Sequence, residues 1–391
     1  MTWNGTNKVT KEVKVAWLLP VFWYYWQPTI SEFTKLYPRT QVFTALFPGF
    51  SQGYENSVEV NLVGDFKVVN LERKAKGYGS NMTYLSPKIV KPLVEYRPDI
   101  VFTSSFGVWT ILAIACKLIF RWQVIIAYEG SSPSVDYLHS PLRIWLRRIM
   151  VWLADGCITN TERGKKYLVK DLKANSDLVI AKPYEIPSLK SLQIEKIPPQ
   201  DLTTDLATNL TTTHKKPIFL FVGRLIPHKG VSIILEACQI LKASSNLACT
   251  VLIVGDGDQK SELEDYCQVH QLTDTVKLLG RVDYSSIAQY YQQADVFILP
   301  TWEDTWGVVT SEVMLFGKPV LCSVYAGSSE LIEDGKNGYV FDPANPQQLA
   351  DLMSKFIINP DLVSQMGQQS KAVMQLHTPE QAAKSLSSII G

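Results

Sequence analysis

The sequence predicts an α/β protein of two doubly wound domains, on three observations. Short runs of β-branched and aliphatic residues alternate with segments carrying an apolar stripe at helical spacing, in both halves of the chain. Between the halves, periodicity is lost and Pro and Thr accumulate, as in an interdomain linker. At 391 residues, with 46% hydrophobic and 19% charged content, the chain is long enough for two ordinary cores and is globular in character. The expected boundaries are 1–185 for the first domain, 186–216 for the linker, 217–376 for the second domain and 377–391 for a final helix.

In chain order, Lys8, Lys11 and Lys14 before VAWLLPVFWYYW imitate a signal peptide. Pro20 interrupts the apolar run and no small-residue cleavage site follows, so a strand with an aromatic loop is the reading. Strand 13–19, helix 28–37 and strand 41–46 come next, and the polar, Gly-rich stretch 48–80 reads as a loop with an irregular strand pair. A helix over 82–96 turns directly into strand 99–103. Residues 108–120 are strongly apolar but hold Lys117 and fall short of the ~18 uninterrupted apolar residues of a spanning helix. They fit a buried helix leading to strand 123–127.

In the helix expected over 141–155, Leu142, Trp145, Leu146, Ile149, Trp152 and Leu153 share one face. Arg143, Arg147 and Arg148, with Ile144 and Val151, occupy the other. Two readings stand: a core helix with a solvated basic edge, which is preferred, or a basic helix lying on an anionic bilayer. Strand 154–160 follows, and Thr161–Gly164 opens the next helix.

Residues 1–185 hold 23 Lys and Arg against 15 Asp and Glu, and residues 186–391 hold 15 against 22. Either the basic half meets an anionic membrane or acidic acceptor, or two unrelated surfaces simply differ in charge. The six cysteines show neither a C-x-x-C pair nor a histidine at zinc spacing. They read as small core residues in a reducing compartment, which makes the expected location cytoplasmic, with the inner face of the plasma membrane as an alternative.

The second half carries the chemistry. In FVGRLIPHKG (221–230) a buried strand, 217–222, meets a glycine turn and a helix with its stripe at Val231, Ile234, Leu235, Cys238 and Leu241. Gly223, Arg224 and Lys229 sit where a helix N-terminus presents free N–H groups, an arrangement suited to a diphosphate. In LPTWEDTWGVVTSE (299–312), Glu303, Asp304 and Glu312 surround Gly307, and such carboxylates accept hydrogen bonds from ribose or hexose hydroxyls. Phosphate cradle and hydroxyl-reading acids together point to a sugar nucleotide. Asp256-Gly257-Asp258 reads as a turn, since no further acids complete a metal shell, and Lys260 stands where a dinucleotide fingerprint needs its third glycine. His228 reads as a loop-positioning residue.

The G-R-L-x-x-x-K-G run, the acid-x7-acid pair and F-G-K-P-V resemble family 4 (group 1) of the retaining glycosyltransferases, of the GT-B fold. The resemblance continues through LIVGDGDQKSEL, VKLLGRVDYSSIAQYYQQADVFILP and GSSELIEDGKNGYVFDP, nearly the whole C-terminal half. It implies two Rossmann-like domains facing across a cleft, the linker as hinge and the final helix crossing back to the first domain. It further implies transfer of a hexose from a nucleoside-diphosphate sugar to a glycan, lipid or small-molecule acceptor, with retention, without metal or other cofactor, and with no nucleic-acid partner. A nucleotide-sugar epimerase of the same fold and a noncatalytic sugar-nucleotide sensor are the alternatives.

By the same resemblance, Arg224 and Lys229 take the donor phosphates and Glu312 the ribose hydroxyls. The first acid of the pair contacts the transferred sugar. Family spacing places Asp304 there, whereas Glu303 has the family's side chain. Amides of Thr305, Trp306 and Gly307 would meet the sugar, and Arg281 and Val282 the base through backbone. Ser328 and Glu330 lie in a loop expected near the diphosphate, or else Ser328 or Ser329 simply caps a helix. The first half departs from the family. It has PVFWYYWQP in place of paired glycines, so that Phe22–Trp26 reads as an acceptor wall, partly core. It also has Glu129 where many relatives place a histidine, either as acceptor-side base or as a buried strand-end acid.

Overall fold

The protein is described by a computed structural model over residues 12–70, 81–192, 217–244 and 249–390. Lys8, Lys11 and most of the expected linker, 193–216, lie outside these residues. The chain divides into two compact units, Met1–Ser191 with Leu376–Gly391, and Leu192–Gln375.

Unit 1 runs β1 (Lys14–Val21), α1 (Gln27–Leu36), β2 (Arg39–Leu46), β3 (Glu59–Leu62), β4 (Phe66–Asn70), β5 (Asn81–Leu85), α2 (Val90–Tyr96), β6 (Ile100–Ser104), α3 (Val108–Phe120) and β7 (Gln123–Tyr128). It continues through α4 (Pro133–Asp136), α5 (Pro141–Leu153), β8 (Gly156–Thr159), α6 (Glu162–Lys166) and β9 (Val179–Ala181). Seven parallel strands form one sheet in the order β3-β2-β1-β6-β7-β8-β9. Helices cover both faces, which is why the central strands are apolar without alternation. Val15, Trp17 and Leu19 face one core, with Phe33 of α1. Ala16 and Leu18 face the other, with Trp109 of α3 and Met150 of α5. Trp17 stacks on Phe102 of β6 at 4.2 Å between centroids.

Three expectations fail in this unit. The segment expected as a helix over 82–96 begins as β5, paired antiparallel with β4, and becomes helical only from Pro87. A proline is accepted in a first helical turn, and Ser86 caps that turn by accepting the Lys88 N–H at 3.3 Å. Helix α3 is not buried all round, since Val108, Ile111, Leu118, Ile119 and Phe120 are exposed. Helix α5 is turned the other way from the preferred reading: Leu142, Trp145, Leu146 and Trp152 are exposed, while Arg147, Met150 and Val151 are buried.

The reason is the anchoring of Arg147. Its guanidinium donates to the carbonyls of Val135 (2.8 Å) and Asp136 (3.2 Å) and to the Tyr167 hydroxyl (2.8 Å), and lies over the Phe106 ring. The Asp136 carboxylate accepts the Tyr128 and Ser131 hydroxyls. A buried charge is tolerated only when hydrogen-bonded in this way.

Unit 2 runs β10 (Ile218–Val222), α7 (Val231–Ala243), β11 (Thr250–Val254), α8 (Lys260–Val269), β12 (Val276–Gly280), α9 (Ile287–Gln293), β13 (Val296–Leu299), α10 (Val308–Leu315), β14 (Val320–Ser323), β15 (Gly338–Phe341), α11 (Pro346–Ile358) and α12 (Asp361–Gln375). Its six strands are parallel, in the order β12-β11-β10-β13-β14-β15. One core joins Phe219, Phe221, Ile234, Cys238, Val251, Met353 and Phe356. The last helix, α13 (Pro379–Ser387), belongs to unit 1, where Ala383 and Leu386 pack with Ile30 and Phe33. Tyr37 and Ser387 share a hydrogen bond of 2.8 Å there.

Candidate functional site

In unit 2 the strand order reverses at β10, whose neighbours are β11 and β13. Open α/β sheets bind ligands outside the carboxyl ends of strands at such a switch point. The two stretches singled out in the sequence leave the sheet there, residues 223–230 after β10 and residues 300–307 after β13. Thr301 Oγ and the Trp302 N–H both donate to the His228 carbonyl, at 2.7 and 2.8 Å, and stitch the loops together. Gly230 permits the approach. It adopts φ +66°, and a Cβ there would stand 2.2 Å from the Pro300 carbonyl oxygen.

Across this seam Lys229 Nζ donates to Asp304 Oδ2 at 2.5 Å, with both side chains largely buried. Glu303 is buried beside it. The Thr301 hydroxyl, whose one proton the His228 and Glu303 carbonyls (2.7 and 2.8 Å) share as acceptors, accepts the Glu303 N–H (3.2 Å). Arg224 is exposed at the end of β10. The imidazole of His228 is pushed down to about 4, first by burial and then by the neighbouring charges of Lys229 and Arg224; Asp304 and Glu303 oppose the shift.

Glu312, in α10, is almost wholly buried. It accepts the Tyr291 hydroxyl at 2.6 Å and the Tyr284 hydroxyl at 3.0 Å. Burial raises its carboxyl above the usual range and the two tyrosines work against that. These tyrosines were not singled out in the sequence. The available signal was a tyrosine in a helical stripe, Tyr291 of QYYQQAD, at a core position where a buried hydroxyl needs an acceptor.

The turn from Asp304 to Gly307 is held from the far side. The Gly327 N–H donates to the Asp304 carbonyl (3.0 Å) and the Ser328 N–H to the Trp306 carbonyl (2.6 Å). A Cβ on Gly327 would stand 2.2 Å from the Thr305 oxygen. Ser328 Oγ donates to Thr310 Oγ at 2.9 Å, and the short 3-10 turn Gly327–Leu331 has Ala326 at its N-cap without a side-chain cap. Neither Ser328 nor Ser329 therefore caps a helix. Trp306 is buried and Thr305 half-buried, so this turn offers backbone more than ring surface. Gly307 takes φ +85° at the start of α10, and Glu330 is exposed.

Arg281 is exposed and Val282 half-buried just after β12. The Gly280 carbonyl accepts the Gly255 N–H at 2.8 Å, which ties this strand end to the turn after β11. In that turn Asp256 accepts the Gly257 N–H with its own carboxylate at 2.8 Å. Among the described residues no group of three or more His, Cys, Asp or Glu could hold a metal ion.

Gly223, Arg224, Lys229, Glu303, Asp304, Gly307 and Ser328 thus belong to the strand ends, loops and turns of one unit, and Glu312 to its helix α10. Glu129 belongs to the other. It is half-buried after β7, its carbonyl accepts the Asn160 N–H at 3.3 Å, and the Tyr184 hydroxyl is raised first by burial and then by the charges of Glu185 and Glu129. Asn160 in turn donates to Glu185 at 3.0 Å and accepts the Tyr184 N–H at 2.8 Å. Of the aromatic run, Phe22 and Trp26 are core, Trp23 is exposed, and Tyr24 and Tyr25 are half-buried.

Two parallel-sheet Rossmann-like units of this kind define the GT-B fold. HepE of Anabaena, solved with UDP, superposes with a TM-score of 0.72 over 97% of this chain and 99% of its own, at 17% identity. Residues 205–373 match the family model of the glycosyl transferases group 1. Alpha-D-kanosaminyltransferase of Streptomyces kanamyceticus is 25% identical over 230 residues, 59% of this chain and 58% of that protein. Sulfoquinovosyl transferase SQD2 of Arabidopsis thaliana is 26% identical over 270 residues, 67% of this chain and 50% of that protein. The chain thus spans half to somewhat over half the length of these two relatives.

Proposed function

We propose that the protein is a retaining, metal-independent glycosyltransferase that moves a hexose from a nucleoside-diphosphate sugar to a glycan, lipid or small-molecule acceptor. The observation that carries this reading is the union, at one switch point, of two cations with a hydroxyl-accepting acid on each side. Lys229 is clamped to Asp304, Arg224 is exposed beside it, and Glu312 is held by two tyrosines.

Breaking a glycosyl–phosphate bond develops negative charge on the departing diphosphate. Arg224 and Lys229 are placed to neutralise it, and fixed charges do so without reorganisation at the moment of reaction. Tyr284 and Tyr291 leave Glu312 one orientation in which to accept ribose hydroxyls. Asp304 and the amides from Thr305 to Gly307 would then read the hexose. Because HepE was solved with UDP and with UDP-glucose, a UDP-hexose is the first donor to try.

The test is calorimetric titration with UDP-, GDP- and ADP-sugars, followed by product analysis with and without acceptor, in chelator. Binding followed by acceptor-dependent release of nucleoside diphosphate, with the donor's anomeric configuration in the product, is expected. An epimerised sugar formed without acceptor, or binding without any turnover, would replace the reading by an epimerase or a sensor. Loss of turnover in chelator would refute metal independence.

A further inference from the structure

Among the described residues no helix is long and apolar enough to cross a membrane. Unit 1 nevertheless exposes apolar side chains that an isolated surface would not favour. They lie on α3 and α5, the crossover helices of β6-β7 and β7-β8, which therefore cover the same face of the sheet. The helices pack side by side, and Lys117 of α3 donates to the Leu153 carbonyl (2.8 Å) and the Asp155 carboxylate (2.7 Å) beyond α5. On α3 the outward residues are Val108, Ile111, Leu118 (71% exposed) and Ile119 (74%); on α5 they are Leu142, Trp145 (57%), Leu146 and Trp152 (80%). Two neighbouring helices with apolar outer stripes form a continuous patch, the kind of surface that marks a docking site.

We infer that this α3–α5 face docks on an anionic bilayer surface. Charge selects the occupant. Residues 105–175 hold ten Lys and Arg against five Asp and Glu. Of the five acids, Asp155 is paired with Lys117 and Asp136 is buried in its own network. Arg121, Arg143, Arg148 and Lys173 are exposed around the patch. Arg148 reaches the Asp171 carbonyl at 2.9 Å, and Lys173 shares with Trp152 the lining of a groove of about 170 Å³.

Apolar side chains ringed by long cations, with indoles among them, match the layered polarity of a bilayer interface. Leu and Ile enter the acyl boundary, Trp takes the headgroup level, and Arg and Lys meet lipid phosphates. A second copy of the chain fits less well, because a two-fold contact would set the same basic rim against itself. The energetic logic of α5 agrees: Arg147 anchors the inner side, so the apolar stripe is left facing outward.

The experiment is co-sedimentation of the full chain with vesicles of phosphatidylcholine containing about 30% phosphatidylglycerol, and with phosphatidylcholine alone, at about 50 mM and about 0.5 M salt. Binding to the anionic vesicles that falls at high salt, and little to the neutral ones, is expected. The variant Leu142→Gln/Trp145→Gln/Trp152→Gln changes only exposed side chains. It should keep its melting curve and lose roughly tenfold or more in vesicle affinity. Arg143→Gln/Arg148→Gln should lose chiefly the salt-sensitive part.

Failure of the wild-type chain to sediment with anionic vesicles would overturn the inference, as would triple-variant binding equal to wild type. So would a concentration-dependent dimer that the triple variant abolishes while vesicles bind neither protein, since a second copy would then cover the face.

Discussion

Lys229 and Asp304 lie 75 positions apart in the chain and meet at 2.5 Å, joining the loop after β10 to the loop after β13. The pair has two consequences. Lys229 is held in place by a carboxylate before any phosphate arrives, and Asp304 has its Oδ2 committed to that contact. Glu303, the other candidate for the same role, is buried next to it with its backbone held by Thr301.

Asp304→Asn should therefore lower transfer far more than Glu303→Gln. Loss of one charge stabiliser costs about 2–4 kcal/mol in kcat/KM, and Lys229→Ala and Arg224→Ala should fall in that range. The stabilities should differ. Arg224 is exposed, so its removal should leave urea unfolding nearly unchanged. Lys229→Ala removes the cation paired with a largely buried carboxylate and should cost about 1–3 kcal/mol. Equal rates for the Asp304 and Glu303 variants, or a mild Asp304→Asn, would show that the acid reading the hexose is not Asp304.

Much of this geometry was legible in the sequence, and the reason is local. A strand, a glycine turn and a helix follow one another directly at 217–243, so the residues between them must lie at the strand's carboxyl end. The partners of those residues were not legible. Nothing in the spacing of Tyr284 or Tyr291 says that a carboxylate 28 or 21 positions away will receive their hydroxyls. Helix α5 shows a different limit. Its apolar stripe was correctly located, but the side facing the core was set by Arg147, whose partners Val135, Asp136 and Tyr167 come from other elements. Periodicity finds a face; it does not say what that face meets. The strand at Asn81–Leu85 was missed for a related reason, since only its pairing with Phe66–Asn70 makes it a strand.

The Glu312 pocket gives a second prediction. Tyr291→Phe removes a short hydrogen bond to a buried carboxylate and should destabilise unit 2 by about 1.5–3 kcal/mol in urea titrations. Glu312→Gln keeps the shape, loses the charge that the tyrosines and a ribose would address, and should weaken nucleotide binding by roughly tenfold in calorimetry. Unchanged nucleotide affinity in Glu312→Gln would place the ribose elsewhere. The same variant with transfer lost but affinity intact would make Glu312 a residue of the reaction and not of binding.

The third prediction concerns pH and the loop that carries Lys229. In the folded chain the imidazole of His228 is held down to about 4, against an ordinary value of 6.5, by burial and by Lys229 and Arg224. Between those two values the unfolded chain binds a proton that the folded chain refuses. Stability from this group is therefore complete above about pH 6.5, falls as pH drops through the window, and is lost by about pH 4. His228→Gln keeps the backbone carbonyl that Thr301 and Trp302 use and removes the titration. Relative to wild type, the variant should gain stability steadily from pH 7 down to pH 4.5 in matched urea titrations, because only the wild type suffers the loss. Other groups titrate in the same range, but they are common to both proteins and cancel in the difference. A difference that stays flat across the window would mean that His228 keeps an ordinary pKa in the folded chain, and that the loop opens readily enough to let water and a proton reach it.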